Sequence, residues 1–462
     1  MSRETVQAAA VDWLGSGRFE SELARLVAIP SESQVPEGLA HCAAYLDAMR
    51  SWFEGMGFTC RVFDNPKAGR GPVLLATRHE GEGLPTVLGY GHGDVVRAMT
   101  GRWAQGREPW VLRREGERLY GRGTADNKGQ HLINLIALAE VLRARGRLGF
   151  NAKVMIETGE ETGSPGLHEI IAAHPEAFAA NVLIASDGPR VHPGRPTVSL
   201  GCRGAVNFDL VCDLREGAHH SGNWGGALAD PAAILAHAIA SIVTPEGQIR
   251  VPEWRPEPIR PLVRELLAGM TLDGGDTGPE VDADWGEPGL TPAENVYAWN
   301  SFAVLAMTAG TPEAPVNAIA PAARAHCQLR FIAGTDAADI LPALRRHLDR
   351  AGFGRVAVVA DEREAGFSAS RTEPDHPWAE WVRKSVARST GTEPAVVPQM
   401  GGSICNELFT DLLGIPAIWL PHSYAGCAQH APDEHVLLPV CESALGLMAG
   451  LYWDLGEDGV PR

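Results

Sequence analysis

The sequence predicts an α/β protein: a mostly parallel sheet flanked by helices forms one domain, and a smaller α+β domain is inserted into it. Three observations lead there. Short apolar runs alternate with helical stretches in the first part of the chain, the pattern of parallel strands covered by crossover helices. That pattern changes after Pro196 and returns near residues 367–373. Acids and imidazoles recur where an apolar run gives way to a loop, the end of such a sheet at which ligands gather.

Taken in order, apolar residues recur at helical spacing from Glu22 to Phe58, broken by Pro30 and Pro36, and residues 43–56 predict an amphipathic helix ended by Gly57. Residues 73–76, 86–90, 152–156 and 182–185 predict strands. A helix at 131–145, closed by Gly146, falls between the second and third of them. Beyond Pro196, residues 197–200, 205–213, 325–332 and 356–360 read as strands and 231–242 and 337–351 as helices, with Pro-rich acidic loops between about 244 and 294. The chain then returns to a helix at 378–389, a Gly-rich loop and a strand at 417–420. The expected division is 1–198 with 371–462 as one discontinuous domain and 199–370 as the insert.

A chain of 462 residues is long for a single core, and its 45% apolar content is that of a folded protein. The formal charge of −17 argues against nucleic-acid or anionic-membrane partners, which require a basic face. The eight cysteines form no C-x-x-C pair and no repeated spacing, so neither a zinc knuckle nor a disulfide framework is indicated. An early acid, no apolar leader and no run long enough to span a bilayer complete the expectation of a soluble, cytoplasmic protein with free thiols.

The residues with chemical potential are His92, Asp94, Asp126, Glu160, Glu161, Asp187 and His430. His92 and Asp94 follow a buried run through glycines, which permit a tight turn and a close approach to a ligand; Asp94 can hold the second ring nitrogen of His92. Asp126, between Ala125 and Asn127 in a loop entering a helix, reads either as an N-cap or as a carboxylate bridging two cations. Glu160 and Glu161 repel each other at a strand end unless a cation lies beside them, in which case one binds the ion and the other is free to accept a proton. Asp187 precedes Gly188 and Pro189, as a turn aspartate also does. Near the C-terminus, His422, His430 and His435 compete, and His422 and His435 are open to a surface reading. Together the set suits a two-metal hydrolase site; taken alone, Glu160 and Glu161 also read as a solvated acidic turn, and His92 with Asp94 as a hydrogen-bonded structural histidine beside a turn aspartate.

In order and spacing the chain resembles the dinuclear zinc metallopeptidase and amidohydrolase family that includes aminoacylase, carboxypeptidase G, succinyl-diaminopimelate desuccinylase and carnosine-type dipeptidases. The resemblance runs from about residue 20 to 450. It implies one ion on His92, Asp126 and Asp187, another on Asp126, Glu161 and His430, Glu160 as general base and acid, and Asp94 orienting His92. It implies a cis peptide between Asp126 and Asn127, and a homodimer formed through the inserted domain. Within that insert it implies that His220 supports the oxyanion, and that Asn317 and Arg330 help to hold substrate, Arg330 by forking onto a free carboxylate. Gly402 and Ser403 match a substrate-binding turn, though Cys405 and Asn406 depart from the dipeptidase pattern, and Asp433 stands where many relatives have asparagine. The implied activity is hydrolysis of an amide bond next to a free carboxylate, in a dipeptide or, as the deacylase alternative, an N-acyl amino acid. A non-catalytic amino-acid-binding protein is the reading from another class. The implied cofactors are two divalent ions, Zn²⁺ first, with Mn²⁺ or Co²⁺ admitted by the nitrogen and oxygen donors.

Overall fold

The computed structural model describes residues 2–272, 279–361, 367–457 and 459–461. It divides into two compact units, Met1–Gly201 with Leu266–Glu280 and Arg371–Arg462, and Cys202–Glu265 with Val281–Ser370. Residues 266–272 with 279 and 280 thus group with the larger unit, whereas the sequence pattern places them inside the insert. Leu266 packs against the larger unit's core.

In the larger unit eight strands run in the order Thr59–Phe63, Val73–Arg78, Asn151–Glu157, Thr86–His92, Val182–Ala185, Ala417–Trp419, Thr197–Ser199 and Ala395–Val397. The four central strands, from Asn151–Glu157 to Ala417–Trp419, are mutually parallel. Antiparallel pairs extend the sheet at one end, because Thr59–Phe63 and Val73–Arg78 are joined by a loop too short for a parallel crossover. Val182–Ala185 is buried along its whole length, as a strand covered on both faces must be.

Helix Lys128–Arg145 packs on Thr86–His92 and on Leu438–Leu455, which in turn holds Arg3–Gly15 and Pro377–Thr390. Lys128–Arg145 begins three residues earlier than its apolar period suggests and ends at Gly146, whose φ of 76° suits glycine. Arg3–Gly15 and Leu438–Leu455 are helices that the apolar pattern does not predict. Leu438–Leu455 is buried around most of its circumference, so it carries no polar stripe to betray its period.

In the smaller unit four antiparallel strands run in the order Ser301–Ala309, Ala322–Phe331, Gly204–Asp213 and Ala357–Ala360. Phe208, Leu210, Ala325, Cys327 and Leu329 face a core shared with residues of helices Pro231–Ile242 and Ile340–Arg350. The edge strand Ser301–Ala309 was missed in the sequence, and Val304, Leu305 and Met307 along it are exposed. Every cysteine is a free thiol, and all but Cys60 are buried. Among the described residues no helix is long and apolar enough to cross a membrane.

Candidate metal centre

His92 closes its strand, and the chain turns at Gly93, where a Cβ would lie 2.1 Å from the ring of Tyr45. Only glycine lets the backbone pass there, which carries His92 and Asp94 together to the carboxyl end of the sheet. Asp126 sits one residue before Asn127, the N-cap position of Lys128–Arg145, and its side chain does not cap that helix. The Asp126–Asn127 peptide is cis. Gly129 is held against the carbonyl oxygen of Thr124, where a Cβ would stand 2.0 Å away, so the loop folds tightly over the helix start.

The Asp126 carboxylate faces two imidazoles. Its Oδ1 lies 2.9 Å from Nε2 of His92, and its Oδ2 lies 3.0 Å from Nε2 of His430. Asp187 brings Oδ2 to 3.6 Å from His92 Nε2, and Glu161 brings Oε2 to 3.1 Å from His430 Nε2. Two triads result, His92 with Asp126 and Asp187, and Asp126 with Glu161 and His430, each with its ligand atoms within 4.8 Å of one another. His430 adopts a φ of 59°, the left-handed region that a non-glycine residue occupies when its surroundings demand it.

The electrostatics are those of concentrated negative charge. Burial pushes Asp187 up to about 6 and Glu161 up to about 7, each raised further by Asp126. For Glu160 burial is again the largest cause; His92 opposes it, Glu161, Asp187 and Asp126 add to it, and the carboxyl ends well above the usual range. Burial also works to raise Asp126, but hydrogen bonds from His430 and His92 outweigh it and hold that group below its usual range. Hydrogen bonding to Asp126, then to Glu161, lifts His430 to about 11. Oε1 of Glu161 is buried with no hydrogen-bond partner, an acceptor without a donor. Nitrogen and carboxylate oxygen donors gathered at these spacings fit divalent cations of the zinc or manganese kind.

Supporting contacts hold the acids in place. Asp94 receives the backbone N–H of Glu160 on Oδ1 at 3.2 Å and that of Glu161 on Oδ2 at 3.1 Å. His92 Nδ1 lies 3.1 Å from the carbonyl oxygen of Asp94 and 3.5 Å from its carboxylate. The Asp94 carboxylate therefore faces the His92 ring beside its own carbonyl oxygen and also grips the Glu160–Glu161 turn. Asn127 donates to the carbonyl of Ser186 at 2.8 Å, tying the Asp126 loop to the Asp187 strand end. His422 and His435 are buried rather than superficial, His422 against Ser186 Oγ at 2.9 Å and His435 against the Tyr424 hydroxyl at 2.7 Å. Of the three competing histidines it is His430 whose side chain is 60% exposed.

Both triads lie wholly in the larger unit, as do Gly402, exposed, and Ser403, half-buried. His220, Asn317 and Arg330 belong to the smaller unit. There the two-residue strand His219–His220 pairs with Ala318–Ile319, and Ser221 donates its backbone N–H to Asn317 O at 2.9 Å, so exposed His220 and Asn317 are neighbours. Arg330 donates from Nε to Gln328 Oε1 at 3.0 Å. Sequence reasoning passed over Glu434, a buried acid in the run containing His430; nothing in its neighbours marks what it binds.

A cage of acids and imidazoles at the carboxyl ends of an α/β sheet is the arrangement of a metal-dependent hydrolase. Residues 88–454 match the model of peptidase family M20/M25/M40. The cysteinylglycine-S-conjugate dipeptidase of Corynebacterium striatum is 31% identical over 403 residues, 84% of each chain. The human Beta-Ala-His dipeptidase is 34% identical over 199 residues, 42% of this chain and 39% of the relative. A solved M20 family metallo-carboxypeptidase from Sulfolobus solfataricus shares the fold, with a TM-score of 0.79 at 23% identity over 95% of this chain and 99% of that one. The chain belongs to peptidase family M20/M25/M40 and is a metallopeptidase.

Proposed function

We propose that this protein is a dinuclear metallodipeptidase that cleaves the amide bond of a dipeptide bearing a free C-terminal carboxylate. The observation that carries the reading is the Asp126 carboxylate, whose two oxygens face His92 and His430 separately, as a ligand shared by two ions must. In this reading His92, Asp126 and Asp187 hold one ion and Asp126, Glu161 and His430 the other. Zn²⁺ suits the donors best, and Mn²⁺ or Co²⁺ is accommodated. Bound there, the ions supply Lewis acidity that acidifies a water and polarises a carbonyl. Everything else falls to the chain.

Glu160 takes a proton on a carboxylate oxygen from the attacking water and delivers it to the departing amine nitrogen. Asp94 keeps that carboxylate in place through the Glu160 and Glu161 amides. His220 donates to the substrate carbonyl oxygen as negative charge develops on it. Arg330 forks onto the substrate carboxylate, and Asn317, Gly402 and Ser403 are further substrate-binding candidates. The dipeptidase relatives named above support a peptide over an N-acyl amino acid.

The insert, Cys202–Glu265 with Val281–Ser370, acts in this reading as a lid and dimerisation domain. Exposed apolar residues along the edge strand Ser301–Ala309 support a homodimer, because an unpaired apolar edge invites a second strand. The cytoplasm suits a chain whose buried cysteines are all free thiols. The deciding experiment is a panel of dipeptides beside N-acetyl and N-succinyl amino acids, run on protein reconstituted with Zn²⁺ or Mn²⁺ and assayed for bound metal. Two ions per chain with turnover of dipeptides is expected; turnover of the N-acyl amino acids alone replaces the reading with a deacylase, and absence of bound metal removes it.

A further inference from the structure

Glu434 is 1% exposed and gathers four donors onto its carboxylate. Arg122 Nη1 donates to Oε2 at 2.8 Å and the Gly123 amide at 3.1 Å; the amides of Ala125 and Asp126 donate to Oε1 at 2.9 and 3.0 Å. The last of these donors is the backbone N–H of the residue whose side chain both triads share. Glu434 itself lies four positions beyond His430, on the segment that carries the distal imidazole. One buried carboxylate therefore ties the loop bearing Asp126 to the loop bearing His430.

We infer that Glu434 is a positioning residue: by gripping the amides of Gly123, Ala125 and Asp126 it sets the place of the shared carboxylate relative to His430, and so the affinity of the centre for its second ion. This rests on the dinuclear reading above. A lone ion pair with Arg122 would need one or two donors. Three backbone amides converging on the same carboxylate, and ending at Asp126, fix the loop itself rather than a side chain. A carboxylate can accept from all four donors at once. A carboxamide cannot, because its –NH₂ group would face amide hydrogens.

The test is a calorimetric titration of the metal-free full chain with Zn²⁺, comparing the native protein with E434Q and with the double variant R122M/E434Q. The double variant removes both charges, so it leaves no unpaired ion in the interior and stays informative if E434Q alone fails to fold. The expected result is native uptake of two ions and a dissociation constant for the second ion raised about 10- to 100-fold in the folded variant, the range for outer groups that orient metal ligands. The value of kcat should return towards native at saturating Zn²⁺, with KM little changed. A purely structural role would lower the unfolding temperature and leave both affinities at their native values, and that result overturns the inference. Should the native chain itself take up no second ion, the dinuclear reading falls first and this inference with it.

Discussion

The Nε2 of His430 reaches to within 3.0 Å of Oδ2 of Asp126 across 304 residues of chain, and no local periodicity connects the two. The contact makes Asp126 common to both triads. Asp126→Asn keeps the size of the side chain but removes the charge that two cations would share. Elemental analysis of the purified variant should find fewer than two divalent ions per chain, with affinity lowered more than about 100-fold, beyond the loss typical of merely orienting groups. Two tightly held ions in Asp126→Asn would contradict the sharing.

Glu160 belongs to neither triad but lies among their carboxylates, which add to the rise that burial gives it. Glu160→Gln should therefore leave both ions bound and lower kcat about 100-fold or more, the scale of a positioned proton shuttle. Steady-state kinetics beside a metal assay will show it. Unchanged kcat would remove the proposed role.

Buried carboxylates at close quarters repel one another until cations join them. Treating the protein with a chelator should lower its unfolding temperature, and added Zn²⁺ or Mn²⁺ should restore it, each ion contributing about 2.7 kcal/mol when free metal stands at 100 times its dissociation constant. Differential scanning calorimetry with and without chelator measures this. An identical unfolding temperature in both conditions would mean that the acids hold no ion.

Glu407 offers a pH dependence outside the triads. Burial raises its carboxyl from 4.5 to about 7, Asp411 and Glu157 adding to the effect against a backbone hydrogen bond, and its Oε2 is buried with no hydrogen-bond partner. An acid whose folded value is raised binds more protons in the folded chain than in the unfolded one between those limits, so stability falls as pH rises from about 4.5 to about 7. Glu407→Gln removes that fall. Urea unfolding of metal-free protein should find the variant comparable to the native chain near the lower limit and more stable above the upper one by roughly 3 kcal/mol. A variant that is not the more stable one above the upper limit would show that burial does not penalise the charged carboxylate.

Much of the fold was legible because each unit follows local rules of apolar period. In the larger unit Val182–Ala185, and in the smaller one Pro231–Ile242, appear with the bounds their apolar patterns predict, and the strands bearing His92 and Glu157 extend those predictions by a residue or two. Helix Leu438–Leu455 escaped because it is buried on nearly every side, and strand Ser301–Ala309 because its apolar residues are exposed at an edge instead of alternating with polar ones. His422 and His435 look no different from His430 in the sequence, yet they are packed against Ser186 and Tyr424.

The sequence by itself determined which residue types stand at the ends of the strands, since alternation of apolar runs with helices is local and survives without any knowledge of distant partners. Tertiary structure alone decided which of them meet. Asp94 grips the Glu160–Glu161 turn and Glu434 the Asp126 loop because main-chain amides from remote segments converge there, and a backbone donor leaves no trace in the identity of the residue that carries it.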